Sequence, residues 1–171
     1  MFRIKARTLT IAACITAVTA VAAAAGPPWI SIEYPSNPLD PSARGGFVTV
    51  RTYHHADLMS YDISGTAEGV VNGRRVTNKL EIKRLAQAGT YVVNWKRPAE
   101  GNWILLVTTT RDGLHMATAV VKVDQGGRVA EVNVPFRTVE NGRWVVPRAV
   151  LAAEVDAMLR APSVSIASLL H

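Results

Sequence analysis

The chain contains one cysteine, Cys14, and only 6% aromatic residues. Cys14 lies inside an apolar amino-terminal stretch, so the rest of the chain has no thiol for a disulfide, a cysteine-bound zinc ion or a nucleophile. The sequence also has no Gly-x-Ser-x-Gly elbow, no His-Glu-x-x-His stretch, no phosphate-cradling glycine loop and no EF-hand spacing. These absences argue against the corresponding classes of enzyme and metal-binding protein, and we expect no catalytic residue.

Acidic residues are absent from the first 25 positions, where three basic residues precede a mostly apolar stretch. A basic start, an apolar centre and small residues before Gly26 are typical of a secretory signal peptide. We therefore predict a signal peptide over residues 1–25 and an exported protein, either periplasmic or extracellular.

Two alternatives to simple cleavage stay open. Residues 11–14 resemble a lipobox, which would make Cys14 a lipidated amino terminus. Residues 8–25 approach the ~20 residues that a membrane-spanning helix needs, so the segment can also stay as an anchor. In both cases we expect membrane contact only through this segment.

The excess of basic residues is smaller than the net charge of +6 implies. Three of the 19 basic residues lie in the predicted signal, which leaves 16 against 13 acidic residues, a net charge of +3. A modest positive charge on an exported protein argues against nucleic acid as a partner.

The remaining chain is a series of short segments rich in β-branched and aromatic residues and separated by Gly, Asn and Pro. Asn72-Gly73 is the strongest hairpin signal, because a type I′ turn needs two residues that tolerate positive φ. Strands spaced by about 8 to 12 residues, with no helical pattern between them, predict an all-β fold, an immunoglobulin-like antiparallel β-sandwich. The predicted strands are residues 29–34, 47–54, 63–71, 75–85, 90–97, 103–110, 114–124, 128–135 and 144–146.

A helical pattern follows the last strand. From Pro147, whose fixed φ suits a first helical turn, Leu151, Val155 and Leu159 recur at helical spacing together with Met158. We predict a short C-terminal amphipathic helix on the rim of the sandwich. The expected domain organisation is a signal over 1–25, a sandwich over 26–146, a helix over 147–160 and a flexible tail over 161–171.

One longer motif carries a family resemblance. It reads Gly-x-Tyr, an apolar strand, Pro-x-x-Gly-x-Trp and a further strand, and it is formed by Gly89, Tyr91, Pro98, Gly101 and Trp103. Residues 87–91 look like the tyrosine corner of immunoglobulin-like sandwiches, with Gln87 where that pattern usually has Asp. The motif resembles the YtkA-like and FixH-like families of small bacterial envelope proteins over residues 45–124. That resemblance implies an accessory role in the envelope, and FixH-like proteins are associated with a copper pump.

The candidate metal ligands are histidine and methionine residues, since imidazole and thioether suit copper. They comprise His54, His55 and Met59, with Asp57 beside them, and His115 and Met116 on a later strand. Adjacent residues of a strand point to opposite faces, so regular geometry brings at most one of the paired histidines to a shared site. The alternative is that the histidines cap a surface loop while the methionines fill gaps in the packing.

A cluster of basic residues is the other candidate surface. Seven occur between positions 74 and 97, against the single acid Glu81, and they are Arg74, Arg75, Lys79, Lys83, Arg84, Lys96 and Arg97. If their strands are neighbours, they form a positive face for an anionic polysaccharide, lipid headgroups or an acidic protein. The alternative is a solvated strand face whose lysines protect a sheet edge.

The sequence therefore favours an exported, non-enzymatic β-sandwich module with a binding or structural role in the cell envelope. Its expected partner is an envelope protein or an anionic surface polymer, with no cofactor. The first alternative is a copper-binding periplasmic accessory protein. The second is an enzyme or its accessory domain, because Asp62 and Glu68 lie on or beside strands, where a carboxylate pair can act in acid/base chemistry.

Overall fold

The computed structural model describes residues 26–139 and 142–161. The predicted signal peptide with Cys14, and the predicted tail beyond residue 161, lie outside these residues and stay predictions. Within them the chain forms twelve strands, one 3₁₀ turn and one α-helix. In chain order these are β1 (Trp29–Glu33), the 3₁₀ turn (Pro41–Ala43), β2 (Val48–His54), β3 (Asp57–Leu58), β4 (Asp62–Val71), β5 (Arg74–Lys79), β6 (Glu81–Arg84), β7 (Thr90–Asn94), β8 (Asn102–Thr110), β9 (Met116–Val123), β10 (Val129–Asn133), β11 (Phe136–Val139), β12 (Trp144–Pro147) and α1 (Ala152–Arg160).

The strands form two antiparallel sheets and a separate hairpin. The first sheet has the order β1-β2-β7-β6, with β3 also paired to β2, and the second has the order β10-β9-β8-β4-β5. If β1, β2, β4 and β5 are strands A, B, C and C′, and β6 to β9 are D to G, the sheets read A-B-E-D and C′-C-F-G. That is the strand order of an immunoglobulin-like sandwich, so the predicted fold class is confirmed.

The core lies between the two sheets and consists mainly of aliphatic side chains. Val48 and Val50 of β2 face Leu105 and Val107 of β8, and all four side chains are fully buried. Because successive strand residues point to opposite faces, every second residue of these strands enters this layer. The inner faces therefore hold the two sheets together mainly by burial of apolar surface.

The Asn72-Gly73 hairpin forms as predicted. Both residues have positive φ, 50° and 73°, and Val71 pairs with Arg74 across the turn. The strand predicted over residues 75–85, in contrast, is two strands. It leaves the second sheet after β5, turns at the buried Leu80 and enters the first sheet as β6.

Tyr91 joins the two sheets at the point where the tyrosine corner was predicted. Its hydroxyl donates a hydrogen bond of 2.6 Å to the carbonyl oxygen of Tyr61, thirty residues upstream and just before β4. Gly89 precedes it with a φ of +66°, and a Cβ there would lie 2.8 Å from the carbonyl oxygen of Thr52 and from the Met59 nitrogen. Glycine is thus required here by both the backbone conformation and the close packing.

The C-terminal part differs from its prediction in where the helix starts and where it packs. Pro147 pairs with Phe136 as the last residue of β12, and α1 begins five residues later. The helix lies on the outer face of the second sheet, where Val155 and Leu159 bury Ile104. Among the described residues, no helix is long and apolar enough to span a membrane.

Candidate functional site

The two adjacent histidines lie at the end of β2. His54 pairs with Asp57, while His55 forms the turn with a φ of +54°, and their ring centroids are 4.4 Å apart. The Nε2 atom of His54 is buried and has no hydrogen-bond partner within the described part of the chain. A turn therefore brings the two rings together, whereas a regular strand would separate them.

The other two candidate ligands have different surroundings. The His115 ring nitrogen Nδ1 lies 2.7 Å from an Asp112 carboxylate oxygen, and the His115 side chain is half exposed. Hydrogen bonds from the His115 backbone, the His115 ring and the Leu114 backbone lower the pKa of Asp112 to about 2. Met116 starts β9 opposite Thr110 and lines a groove on the outer face of the second sheet. Over residues 26–139 and 142–161, no group of three His, Cys, Asp or Glu residues is placed to hold a metal ion.

Two residues of the predicted basic cluster take part in contacts within the fold. Arg75 forms ion pairs with Glu68, at 3.1 Å, and with Asp156 of α1. The Arg97 guanidinium donates hydrogen bonds to the carbonyl oxygens of Pro98 and Gly101, at 3.0 and 2.9 Å. Both cations are therefore engaged in contacts within the fold, although the Arg75 side chain stays 38% exposed.

The other basic residues are divided between the two sides of the sandwich. Lys79 pairs with Thr66 on the outer face of the second sheet, whereas Lys83 pairs with Val92 on the outer face of the first. The Arg84 guanidinium lies 5.8 Å from the centre of the Tyr91 ring. The seven residues therefore do not share one face, because the chain changes sheets between Lys79 and Lys83.

A recess that we call the threonine groove runs along the outer face of the second sheet, beside the segment that leads into α1. Its volume is about 510 Å³. Strands β5, β4, β8 and β9 supply its floor, mostly with hydroxyl groups, and the C-terminal segment supplies one wall. It is lined by Ser64, Gly65, Thr66, Thr77, Lys79, Leu106, Thr108, Met116, Thr118, Ala149 and Val150.

Strand register fixes the positions of these side chains. Ser64 pairs with Thr108, and Thr108 pairs with Thr118, so three hydroxyl groups form a row across β4, β8 and β9. The hydroxyls of Thr108 and Thr118 are hydrogen-bonded at 2.9 Å. The next row contains Lys79, Thr66 and Leu106, so an ammonium group lies beside the hydroxyl rows.

A buried carboxylate lies next to the groove. Glu68 is only 5% exposed, and it accepts hydrogen bonds from the Thr77 hydroxyl at 2.7 Å and from Arg75. Burial acts to raise the pKa of Glu68, but hydrogen bonds from Thr77, Thr66 and Arg75 outweigh it and hold the pKa below its ordinary value. Glu68 is thus an ionised structural group at neutral pH, which does not suit the role of a general acid.

Sequence reasoning missed the threonine groove as a site. Lys79 belongs to the predicted basic cluster and Met116 to the predicted metal ligands, whereas the serine and threonine residues belong to neither set. Hydroxyl residues at alternate positions of strands would have been the available signal, because alternate residues share a face.

Comparisons of the chain with protein-family models, with curated proteins and with solved structures found no significant match.

Proposed function

We propose that this protein is an exported, non-enzymatic module of the cell envelope that binds an anionic glycan in the threonine groove. The observation that carries the proposal is the placement of Lys79 beside rows of serine and threonine hydroxyls in one open recess. Export is inferred from the signal-like residues 1–25, and the binding role from the groove.

The chemistry of the groove suits a polyhydroxylated ligand. Each serine or threonine hydroxyl both donates and accepts hydrogen bonds, as sugar hydroxyls do. Leu106, Met116 and Val150 add apolar surface against which the C–H faces of sugar rings can pack. Because the hydroxyls are held on paired strands, binding requires little ordering of the protein.

Lys79 accounts for the preference for an anionic glycan. Its side chain is exposed, and it forms no ion pair within the described residues, unlike Arg75 two rows away. An ammonium group is a compact donor that accepts a carboxylate or a sulfate from several directions. The groove is therefore expected to prefer a glycan that carries acidic groups over a neutral glycan.

Binding to polygalacturonate at low salt, measured by biolayer interferometry, tests the proposal. Lys79→Gln is expected to weaken binding by about tenfold, the value of one charge-assisted hydrogen bond. Thr108→Val removes the central hydroxyl and is expected to weaken binding of the same polymer. Lys122→Gln is the matched control, since Lys122 lies on the same sheet but is paired with Glu131 at 2.7 Å. The proposal is contradicted if the protein binds neutral dextran as tightly as polygalacturonate. It is also contradicted if neither Lys79→Gln nor Thr108→Val changes the affinity for polygalacturonate.

The export part of the proposal has its own measurement. Mass spectrometry of protein recovered from cell fractions is expected to find an amino terminus near Gly26. A lipidated Cys14 or an intact residue 1 in the membrane fraction would replace cleavage with one of the two alternatives. Recovery only in the cytoplasmic fraction would contradict export altogether.

A copper-accessory role is the second candidate, supported by the closely placed rings of His54 and His55 and by the unpartnered Nε2 atom of His54. Imidazole and thioether are donor types that copper accepts, and Met59 follows β3 directly after this turn. The resemblance of residues 45–124 to FixH-like proteins points in the same direction. Calorimetric titration with Cu(I) under anaerobic conditions and with Cu(II) tests it: His54→Gln should abolish tight binding, and His115→Gln should not. Dissociation constants no tighter than millimolar would end this candidate.

A further inference from the structure

A second recess lies on the opposite side of the sandwich, over the first sheet. Residues 34–46, which connect β1 to β2, fold back across the outer face of this sheet and place Ala43 on Leu85 and Val92. A Cβ on Gly46 would lie 1.9 Å from Cγ2 of Val92, so the connection packs directly on β7. Beside this contact the connection leaves a pocket of about 220 Å³.

We propose that this recess, which we call the loop pocket, binds a small zwitterion, a free α-amino acid. Its polar lining includes Glu33, Asp40, Thr49, Arg51, Gln87 and Thr90. The proposal goes beyond the glycan-binding role, because the loop pocket is built by the other sheet and shares no lining residue with the threonine groove.

Charges of both signs face the loop pocket at close range. Arg51 forms an ion pair with Glu33, and the two side chains are 33% and 32% exposed, so neither is fully solvated. Only Nη1 of Arg51 is used in this pair, and its Nε and Nη2 atoms make no hydrogen bond within the described residues. Arg51 thus keeps a two-donor edge, which matches the geometry of a carboxylate.

Asp40 supplies the second negative charge. Its carboxylate accepts hydrogen bonds from the Ser42 hydroxyl and backbone nitrogen, at 2.6 and 2.8 Å. These bonds, with a smaller contribution from the charge of Arg51, hold the pKa of Asp40 below its ordinary value. The carboxylate of Asp40 is therefore available to an ammonium group at neutral pH, and Glu33 adds a second carboxylate to the lining.

The balance of these charges selects the ligand class. Asp40 and Glu33 offer acceptors to an ammonium group, and the free edge of Arg51 offers donors to a carboxylate, so an α-amino acid can satisfy groups of both signs at once. The pocket is smaller than the ~300–1,000 Å³ of sites for drug-sized ligands, which favours a ligand of few atoms. Thr49, Gln87 and Thr90 contribute neutral donors and acceptors around the charges.

Calorimetric titration of the purified protein with L-alanine, L-alaninamide and propionate tests the proposal. L-alanine is expected to bind, and each analogue, which lacks one of the two charges, should bind at least about tenfold more weakly. Arg51→Gln is expected to remove binding of L-alanine. Arg74→Gln is the matched control, because Arg74 is an exposed arginine on β5 of the other sheet.

Glu33→Gln keeps the inference testable if Arg51→Gln does not fold. This variant keeps the guanidinium and removes one carboxylate, so it should bind L-alanine more weakly and propionate more strongly. Equal affinity of the wild-type protein for L-alanine and propionate would identify a simple anion site and overturn the proposal. So would the absence of any heat with L-alanine at millimolar concentrations. Lys79→Gln should not affect L-alanine, which separates this result from that of the glycan test.

Discussion

The two outer faces of the sandwich are covered in different ways. The first sheet is covered by residues 34–46, which follow β1 directly in sequence. Ala43 of this segment packs against Leu85 and Val92 of the sheet side. The second sheet is covered by α1, which comes from the end of the described chain and buries Val155 and Leu159 against Ile104. Each cover leaves an open polar recess beside it, the loop pocket on one face and the threonine groove on the other.

This difference shows what each cover requires from the sheet beneath it. A local connection needs only a close approach, which Gly46 provides, and few apolar residues. A helix that returns from a distant part of the chain needs an apolar outer face, which Ile104 and Leu106 of β8 provide. Residues 103–107 are consequently apolar without interruption, as is typical of a strand covered on both sides.

The largest effect should come from weakening the helical cover. Leu159→Ala removes a side chain that is 3% exposed and leaves a cavity over β8, so we expect a loss of about 2–4 kcal/mol in the free energy of unfolding. Leu151→Ala is the control, because Leu151 is 63% exposed, and it should cost less than about 0.5 kcal/mol. Urea denaturation followed by circular dichroism measures both. A loss below about 1 kcal/mol for Leu159→Ala would mean that α1 contributes little to the fold.

Weakening the local cover should have a smaller effect. Gly46→Ala places a Cβ against Val92, and we expect a loss of about 1–3 kcal/mol from this overpacking. Gly26→Ala is the matched control, since a Cβ at Gly26 has no heavy atom within 4 Å. The double variant Gly46→Ala, Val92→Ala should lose less than the sum of the single variants, because truncating Val92 makes room for the new Cβ. Strict additivity in urea denaturation would show that the two residues are not in contact.

The fold class and the Asn72-Gly73 turn could be predicted from sequence because each depends on local properties, strand alternation and tolerance of positive φ. The change of sheets at Leu80 could not be predicted from sequence. Apolar and polar residues alternate over residues 75–85 without a turn signal, and only tertiary packing divides this segment into two strands. The fixed φ of Pro147 suits a first helical turn, but it is equally compatible with the end of an edge strand, where Pro147 lies. The threonine groove depends on strand order, which brings residues 64, 77, 108 and 118 together from four separate strands.

An ionic contact ties the helical cover to its sheet, and weakening it should have a smaller effect again. Glu68→Gln weakens the pairing with Arg75, which also binds Asp156 of α1, and we expect a loss of about 1–2 kcal/mol at neutral pH. The pKa of Glu68 is lowered on folding, so its contribution is present above the ordinary value of 4.5 and is lost as the pH falls through the folded pKa. The stability difference between wild type and variant, measured by denaturation at several pH values, should therefore shrink in acid. A difference that grows below pH 4.5 would contradict this assignment.

The smallest effect is expected at the start of α1, where the helical cover meets the segment that walls the threonine groove. Hydrogen bonds from Arg148, at 2.7 Å, and from the Leu151 backbone nitrogen, at 2.8 Å, lower the pKa of Glu154 from 4.5 to about 2. The side chain is partly exposed, so solvent screens the ion pair and Glu154→Gln should cost little. The stabilisation by Glu154 should be constant above pH 4.5 and disappear between pH 4.5 and about 2, because protonation removes the charge that Arg148 and the helix amino terminus favour. Glu100→Gln, at an exposed residue in the loop before β8, is the control. An equal pH dependence in both variants would show that the acid sensitivity does not arise from Glu154.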